Sequence, residues 1–526
     1  MKRLLIPLGL FLVLVLILAG CSGTSSPAST LASTQSPAQT GTAQPIGATG
    51  TPKYGGTFTL ILDTSPGGNI GWPPEYLGED AVSAQPFYEG LQRVMLDGHA
   101  EPLLAESWKL ADDKLSMTFT LRKGIKFHDG TDFNAQAVKF NYDALIEAKR
   151  QVYWKSVEVI DDYTVKVNFT EWRNTLPTGF GGGIVSPTAA NKGGSLDYIR
   201  KNPVGTGPFI FESFQRDVAT VGVKNPNYWR KGYPYVDKFV IKYVPDKTTQ
   251  KAAMQKGEGD ALVVELGKMA KDMMDLGFKA LTQHQAIFSL FPASKDPNSP
   301  FHNEKVRMAV EYAIDREAIA KGLGYGLFNT PYQIVPADNQ AFDPNFQGRK
   351  YDPAKAKQLL AEAGYPNGFK TNLIPSPVAL DKDIDLAVKS YLDAVGIQTT
   401  IEMVEYNKYM EMKSGVYDGL MLEPCAAFAN YYSSLYMYFH PNSIYFPSLD
   451  KPNELTAIID ECAKSEKIPD IDLIRKAVRY IYEHAVVIPV HDGGKGYALA
   501  PYVKGDIFLK LSFPTQFIPE NVWLDK

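Results

Sequence analysis

Asp352-Pro353-Ala354-Lys355-Ala356-Lys357-Gln358-Leu359-Leu360-Ala361-Glu362-Ala363-Gly364 decides the fold class. Asp stands at a helix cap, Pro in the first turn and Gly past the end, which is the asymmetry of a single α-helix. Ala356, Leu359, Leu360 and Ala363 form its apolar stripe. The unit then recurs. Ile384, Ala387, Val388, Tyr391 and Val395 make a second stripe ended by Gly396, and Ile397, Thr399, Ile401 and Met403 alternate as a strand. Helix, glycine and strand in succession predict an α/β lobe. A further stripe, Val306, Ala309, Val310, Ala313 and Ile314, places its start near Leu290.

The chain before that point reads differently. Leu115, Met117, Phe119 and Leu121 alternate with Ser116, Thr118, Thr120 and Arg122, which predicts a half-buried strand over 114–122. Asn134 is placed to cap a helix with Val138, Tyr142 and Leu145 on one face. A hairpin is expected around Asp161-Asp162, strands at 56–62, 209–214, 220–224 and 238–244, and a helix over 81–91. No internal repeat points to a solenoid.

The N-terminus carries a leader. Lys2 and Arg3 precede an apolar run, Leu4–Leu18, that closes on Leu18-Ala19-Gly20-Cys21. The run is short for a membrane-spanning helix, which needs about 20 residues. Its last four residues resemble the lipobox of bacterial lipoproteins, which implies cleavage before Cys21 and lipid on the Cys21 thiol. An uncleaved N-terminal membrane helix is the competing reading. Residues 22–52 are almost wholly Ser, Thr, Ala, Gly, Pro and Gln and hold too little apolar surface to offset ordering, so they read as a tether. Random-coil scaling gives it a reach of roughly 30 Å.

About 500 residues remain, too many for one core. With 54 basic and 58 acidic residues the net charge is −4, so no basic excess suggests nucleic acid. Phosphate-loop, nucleophile-elbow and zinc-protease motifs are absent, and the seven histidines are scattered. No cofactor or metal is expected. His128-Asp129 is read as a turn in which Asp accepts local backbone hydrogen bonds. Cys425 and Cys462 either pair or stay as buried thiols. Phe428, Tyr431, Tyr432 and Tyr436 crowd a stretch rich in Ser and Asn, where Tyr suits a pocket wall that must also hydrogen-bond, although Tyr432 and Tyr436 at helical spacing suit a packed face.

Several stretches together carry a resemblance. They are Tyr88-Glu89-Gly90-Leu91; Ala105-Glu106-Ser107-Trp108, continuing through Phe119 to His128-Asp129-Gly130-Thr131; Asn202-Pro203-Val204-Gly205-Thr206-Gly207-Pro208-Phe209; Asn225-Pro226-Asn227-Tyr228-Trp229; Ala313-Ile314-Asp315-Arg316; and Leu359-Leu360-Ala361-Glu362-Ala363-Gly364-Tyr365. In this order, over residues 53–503, the chain resembles the extracellular solute-binding proteins of ABC importers, of the oligopeptide, dipeptide and nickel-binding family. The resemblance implies an α/β, two-lobe periplasmic-binding-protein-like fold with a hinge and an extra subdomain in the first lobe. After the leader at 1–21 and the tether at 22–52, it places first-lobe parts at 53–91 and 202–285, the subdomain at 92–201, the second lobe at 286–499 and a first-lobe return at 500–526. Expected partners are a small organic solute or short peptide, permease subunits, and the membrane through the N-terminal lipid. The expected place is outside the cytoplasm, in the periplasm or at the cell surface, with no catalytic step. A sensory binding protein for a membrane receptor and an exported hydrolase on the same fold are the alternatives.

One departure bears on the ligand. Peptide-binding members usually carry, after a Tyr/Phe-Asp pair, Gly-Trp and then an acid that receives the peptide's α-amino group. Here Tyr417-Asp418 leads to Pro424 in the Trp position and Ala427 in the acid position. A buried ammonium without a carboxylate is costly, so an ordinary free-N-terminus peptide is disfavoured unless Glu423 points inward. The expected cleft residues are Trp72, Glu423, Phe428, Asn430 and Tyr431.

Overall fold

The computed structural model describes residues 50–76, 79–377, 381–508, 511 and 516–526. The leader, Cys21 and the tether up to residue 49 lie outside the described residues. Among the described residues no helix is long and apolar enough to cross a membrane.

Three sheets organise the chain. The first has seven strands in the order Lys279–Thr282, Lys495–Leu499, Ala261–Glu265, Thr57–Leu62, Lys238–Tyr243, Ala219–Lys224 and Phe209–Gln215. Thr57–Leu62 runs parallel to both of its neighbours. The second has five strands in the order Ile397–Ile401, Phe369–Pro375, Leu420–Ala426, Ala286–Pro292 and Ile488–Gly493. The third is the antiparallel meander Ala105–Leu110, Ser116–Leu121, Thr164–Phe169 and Trp154–Asp161. It forms the extra subdomain, with the helix Ala135–Glu147 packed on it. This is a two-lobe α/β fold with an added subdomain.

The local signals act as their chemistry requires. Asn134 caps its helix through Ala137 N–H, and Asp352 caps Pro353–Glu362 through Lys355 N–H. Val306, Ala309, Val310, Ala313 and Ile314 are all fully buried, as a core-facing stripe should be. Two expectations shift. The strand at 114–122 starts at Ser116, because Lys114 takes a left-handed conformation (φ 58°) in the preceding turn; Leu115 is consequently 43% exposed and Ser116 is buried. The helix expected over 81–91 is Glu79–Ala84 only. Pro86 follows, and the carbonyls of Pro86 and Phe87 accept from Phe209 and Gly207 instead of continuing a helix.

Lys495–Leu499, expected in the second lobe, pairs with Ala261–Glu265 and Lys279–Thr282 in the first sheet. The second sheet's last strand ends at Gly493. Cys425 and Cys462 are both buried and free, and burial pushes the Cys462 thiol up to about 12.

Candidate functional site

Two crossings join the sheets. Lys279–Thr282 passes through Gln283-His284-Gln285 into Ala286–Pro292, and Ile488–Gly493 passes through Gly494 into Lys495–Leu499. The crossings touch: Gln285 N–H donates to Gly493 O at 3.2 Å. A Cβ on Gly494 would stand 2.3 Å from Gln283 O, so only glycine lets the two segments approach this closely. His284 Nδ1 lies 2.5 Å from Asp492 Oδ2, which ties one crossing to the other. Asp492 Oδ2 also accepts from Asn329 N–H, and Asp338 Oδ2 accepts from His284 N–H at 2.7 Å. Burial pulls the His284 pKa down, but the hydrogen bond and charge of Asp492, with the charge of Asp338, outweigh it and hold it above the ordinary value. His491 is stacked between Phe288 and Phe328, and burial lowers it to about 4, so it is neutral.

Beside this junction lies a narrow cavity of about 10 Å³, room for roughly one water. Leu96 lines it from the subdomain side. Gln283, His284 and Gln285 line it from the hinge, and Asp338, Asn339, Ala427 and Ala429 from the second lobe. Ala427 directly follows the strand Leu420–Ala426, which runs parallel to Phe369–Pro375. The cavity therefore opens at the carboxyl ends of parallel strands, where α/β sheets offer their crevice. Gln340 Nε2 donates across it to Asp97 O at 2.5 Å. The lobes stand closed on one another.

The expected cleft residues separate into two groups. Phe428 is half-buried beside the cavity; its N–H donates to Ser434 Oγ and its carbonyl accepts from Asn339 Nδ2. Asn430 sits at the lobe interface, donating through Nδ2 to Asn174 Oδ1 at 3.3 Å. The other three lie inside the lobes. Trp72 is buried in the first-lobe core, 6.0 Å from the Phe140 ring. Tyr431 is buried in the second-lobe core and donates to Ile334 O at 2.5 Å. Glu423 is paired with Lys413 and accepts from Tyr409 OH at 2.5 Å, so its carboxylate already has partners. Lys413 in turn lies 4.7 Å from the Tyr445 ring centroid. The hinge residues Gln283, His284 and Gln285 and the loop residues Asp338 and Asn339 were not anticipated. Their one legible signal was that His284 stands between two apolar strands, a place for a crossing.

Four of the motifs that carried the resemblance, those around Glu89, His128, Thr206 and Tyr228, meet elsewhere. Glu89 accepts from Thr206 Oγ1 at 2.8 Å, Tyr228 OH at 2.7 Å and Trp229 Nε1 at 2.9 Å. His128 Nε2 lies 2.9 Å from Gly207 O, and Asn225 Nδ2 donates to the same carbonyl. Asp129 accepts from Thr131 N–H and Oγ1, the local turn bonding expected of it. Nearby, Glu520 receives Arg93 and Arg230. These motifs form a polar knot joining the first lobe to its subdomain and do not line the cavity. Among the described residues no group of three His, Cys, Asp or Glu side chains stands ready for a metal ion.

Comparisons with known proteins agree with this geometry. The family model described as bacterial extracellular solute-binding proteins, family 5 middle, matches residues 99–446. Heme-binding protein A of Haemophilus influenzae is 35% identical over 312 residues, 53% of this chain and 56% of that protein. Glutathione-binding protein GsiB of Salmonella typhimurium is 35% identical over 321 residues, 58% of this chain and 62% of that one. The chain thus spans about three-fifths of the length of these curated relatives. NikA from Brucella suis in complex with Fe(III)-EDTA superposes with a TM-score of 0.79 at 20% identity, covering 89% of this chain and all of that one. DppA from Helicobacter pylori in complex with the peptide STSA gives 0.74 at 24%, covering 90% and 99%. With the family model spanning well over half its length, the chain belongs to the bacterial extracellular solute-binding proteins of family 5.

Proposed function

We propose that the chain is the substrate-binding component of an ABC importer. It is held to the cell envelope by lipid on Cys21 and a Ser/Thr/Pro-rich tether. It captures a peptide or another small organic solute between its lobes and delivers it, chemically unchanged, to a permease. The observation that carries this reading is the pair of hinge crossings that meet beside a narrow crevice walled by both lobes. Closure about such crossings encloses a guest, and a guest that touches both walls shifts the population towards the closed form.

In this reading the first lobe comprises 53–91, 202–285 and 495–526, the subdomain 92–201 and the second lobe 286–493. The guest touches the hinge residues, Asp338, Asn339 and Ala427, with Phe428 and Asn430 at its edge. Trp72, Glu423 and Tyr431 support those walls from within. Similar proteins are named for heme and glutathione, and similar folds hold a tetrapeptide and Fe(III)-EDTA. With a methyl at Ala427, an ordinary peptide ammonium has no carboxylate in that position. The test is mass spectrometry of small molecules released on denaturing the purified protein, followed by calorimetry against peptides, glutathione and organic chelates. Failure of every class to bind would defeat the proposal.

A further inference from the structure

After the strand Thr164–Phe169 the subdomain carries Trp172-Arg173-Asn174, and these residues reach the second lobe. Asn174 N–H donates to Ala463 O at 3.0 Å, Asn174 Nδ2 to Cys462 O at 2.7 Å, and Trp172 Nε1 to Ser465 O at 3.2 Å. The three acceptors are the carboxyl end of the helix Asn453–Lys464. Carbonyls of a last helical turn lack α-helical partners and carry the negative end of the helix dipole. Here the donors come from the opposite side of the cleft. A charge pair reinforces the contact: Lys114 pairs with Glu466 while lying 5.8 Å from the Trp172 ring centroid, whereas Arg173 of the same loop is paired with Glu171. Asn174 Oδ1 also accepts from Asn430, one residue beyond the cavity-lining Ala429.

We propose that Trp172 and Asn174 form a closure clasp, a helix cap supplied across the cleft that holds the lobes shut and positions Asn430. The proposal rests on the hinged-trap reading. When the lobes part, the carbonyls turn to water, with Cys462 O keeping the Ser465 N–H, so each cross-lobe bond adds only its net value to the closed form. Solute affinity scales with the closed fraction, so the clasp sets how much of that affinity is available before any solute contact is made.

Hydrogen exchange of the full chain without added solute tests this directly, because the Asn174 amide is itself a clasp donor. Trp172→Phe and Asn174→Ala change side chains alone, removing two clasp donors and the Oδ1 that accepts from Asn430, and keep that amide as the reporter. The peptide spanning 170–176 is expected to be protected in the wild type. In W172F/N174A it should exchange on the order of 10-fold faster, while Ser116–Leu121 of the same subdomain keeps its rate. If that strand also speeds up, the subdomain has loosened, and W172F alone decides, with an expected change of about 3-fold. Unprotected exchange at 170–176 in the wild type, or rates unchanged by these substitutions, overturns the clasp. No solute enters this measurement, so a chain that binds solute but shows unchanged exchange has lost the clasp and kept its function. A chain that binds none has lost the importer reading whatever its exchange.

Discussion

Glu89 in the first lobe and Glu423 in the second are equally buried, 5% exposed each, and are satisfied in opposite ways. Glu423 meets a cation ten residues away in sequence, Lys413, within one helix–strand unit. Glu89 meets three neutral donors 117 to 140 residues downstream. Burial, with repulsion from Glu520, raises the Glu89 pKa to about 7 against the pull of those donors. The difference separates two tasks. A local ion pair fixes the helix Tyr406–Ser414 on its own sheet. A long-range neutral knot fastens segments that the chain brings together only when the discontinuous first lobe is complete.

The sharpest way to break this contrast is Lys413→Met. It strands a buried carboxylate with one Tyr hydroxyl, and stability should fall by about 3–5 kcal/mol in denaturant unfolding. Adding Glu423→Leu should recover most of that loss, because removing both charges also removes the desolvation cost.

Glu89 should respond to pH instead. Its folded pKa lies above the ordinary value, so the folded state binds the proton more tightly. Its contribution is present below about 4.5 and is lost as pH rises through about 7. Glu89→Gln mimics the protonated form and keeps a carbonyl acceptor for Thr206 and Trp229. Between pH 4 and pH 8 the variant should gain about 2–3 kcal/mol relative to the wild type. Parallel stability profiles for the two proteins would show that Glu89 does not titrate in this window.

The same contrast explains what could be read in advance. Helix caps such as Asn134 and Asp352 and the stripe from Val306 to Ile314 depend on neighbours within a few residues, so their outcome stood in the local sequence. Ala427 could be singled out because the family resemblance puts the peptide binders' acid at that position after Tyr417-Asp418, and it lines the cavity. Trp72, Glu423 and Tyr431 looked like cleft residues for their chemistry, yet their surroundings are set by other elements: Phe140, Lys413 and the Ile334 carbonyl. His284 and Asp338 lie 54 residues apart and acquire meaning only when the crossing brings them together.

Ala427→Asp sharpens the comparison at the cavity by putting a carboxylate where the chain has a methyl. Affinity for a dipeptide with a free N-terminus should rise about 10-fold or more in calorimetry, with little change for its N-acetylated form. Sub-micromolar binding of that dipeptide by the wild type, unimproved by the substitution, would remove the significance given to Ala427. The smallest effect is expected where the structure is most local. Asp352→Ala deletes one cap and should cost about 1 kcal/mol, read as a shifted unfolding midpoint with solute binding unchanged.

Native mass spectrometry of the purified full chain tests the central claim most directly. A hinged trap predicts a protein ion carrying one small organic molecule, which denaturation releases with its mass unchanged and which the emptied protein binds again. An empty ion that rebinds no solute, or release of a chemically altered product on incubation, would contradict it.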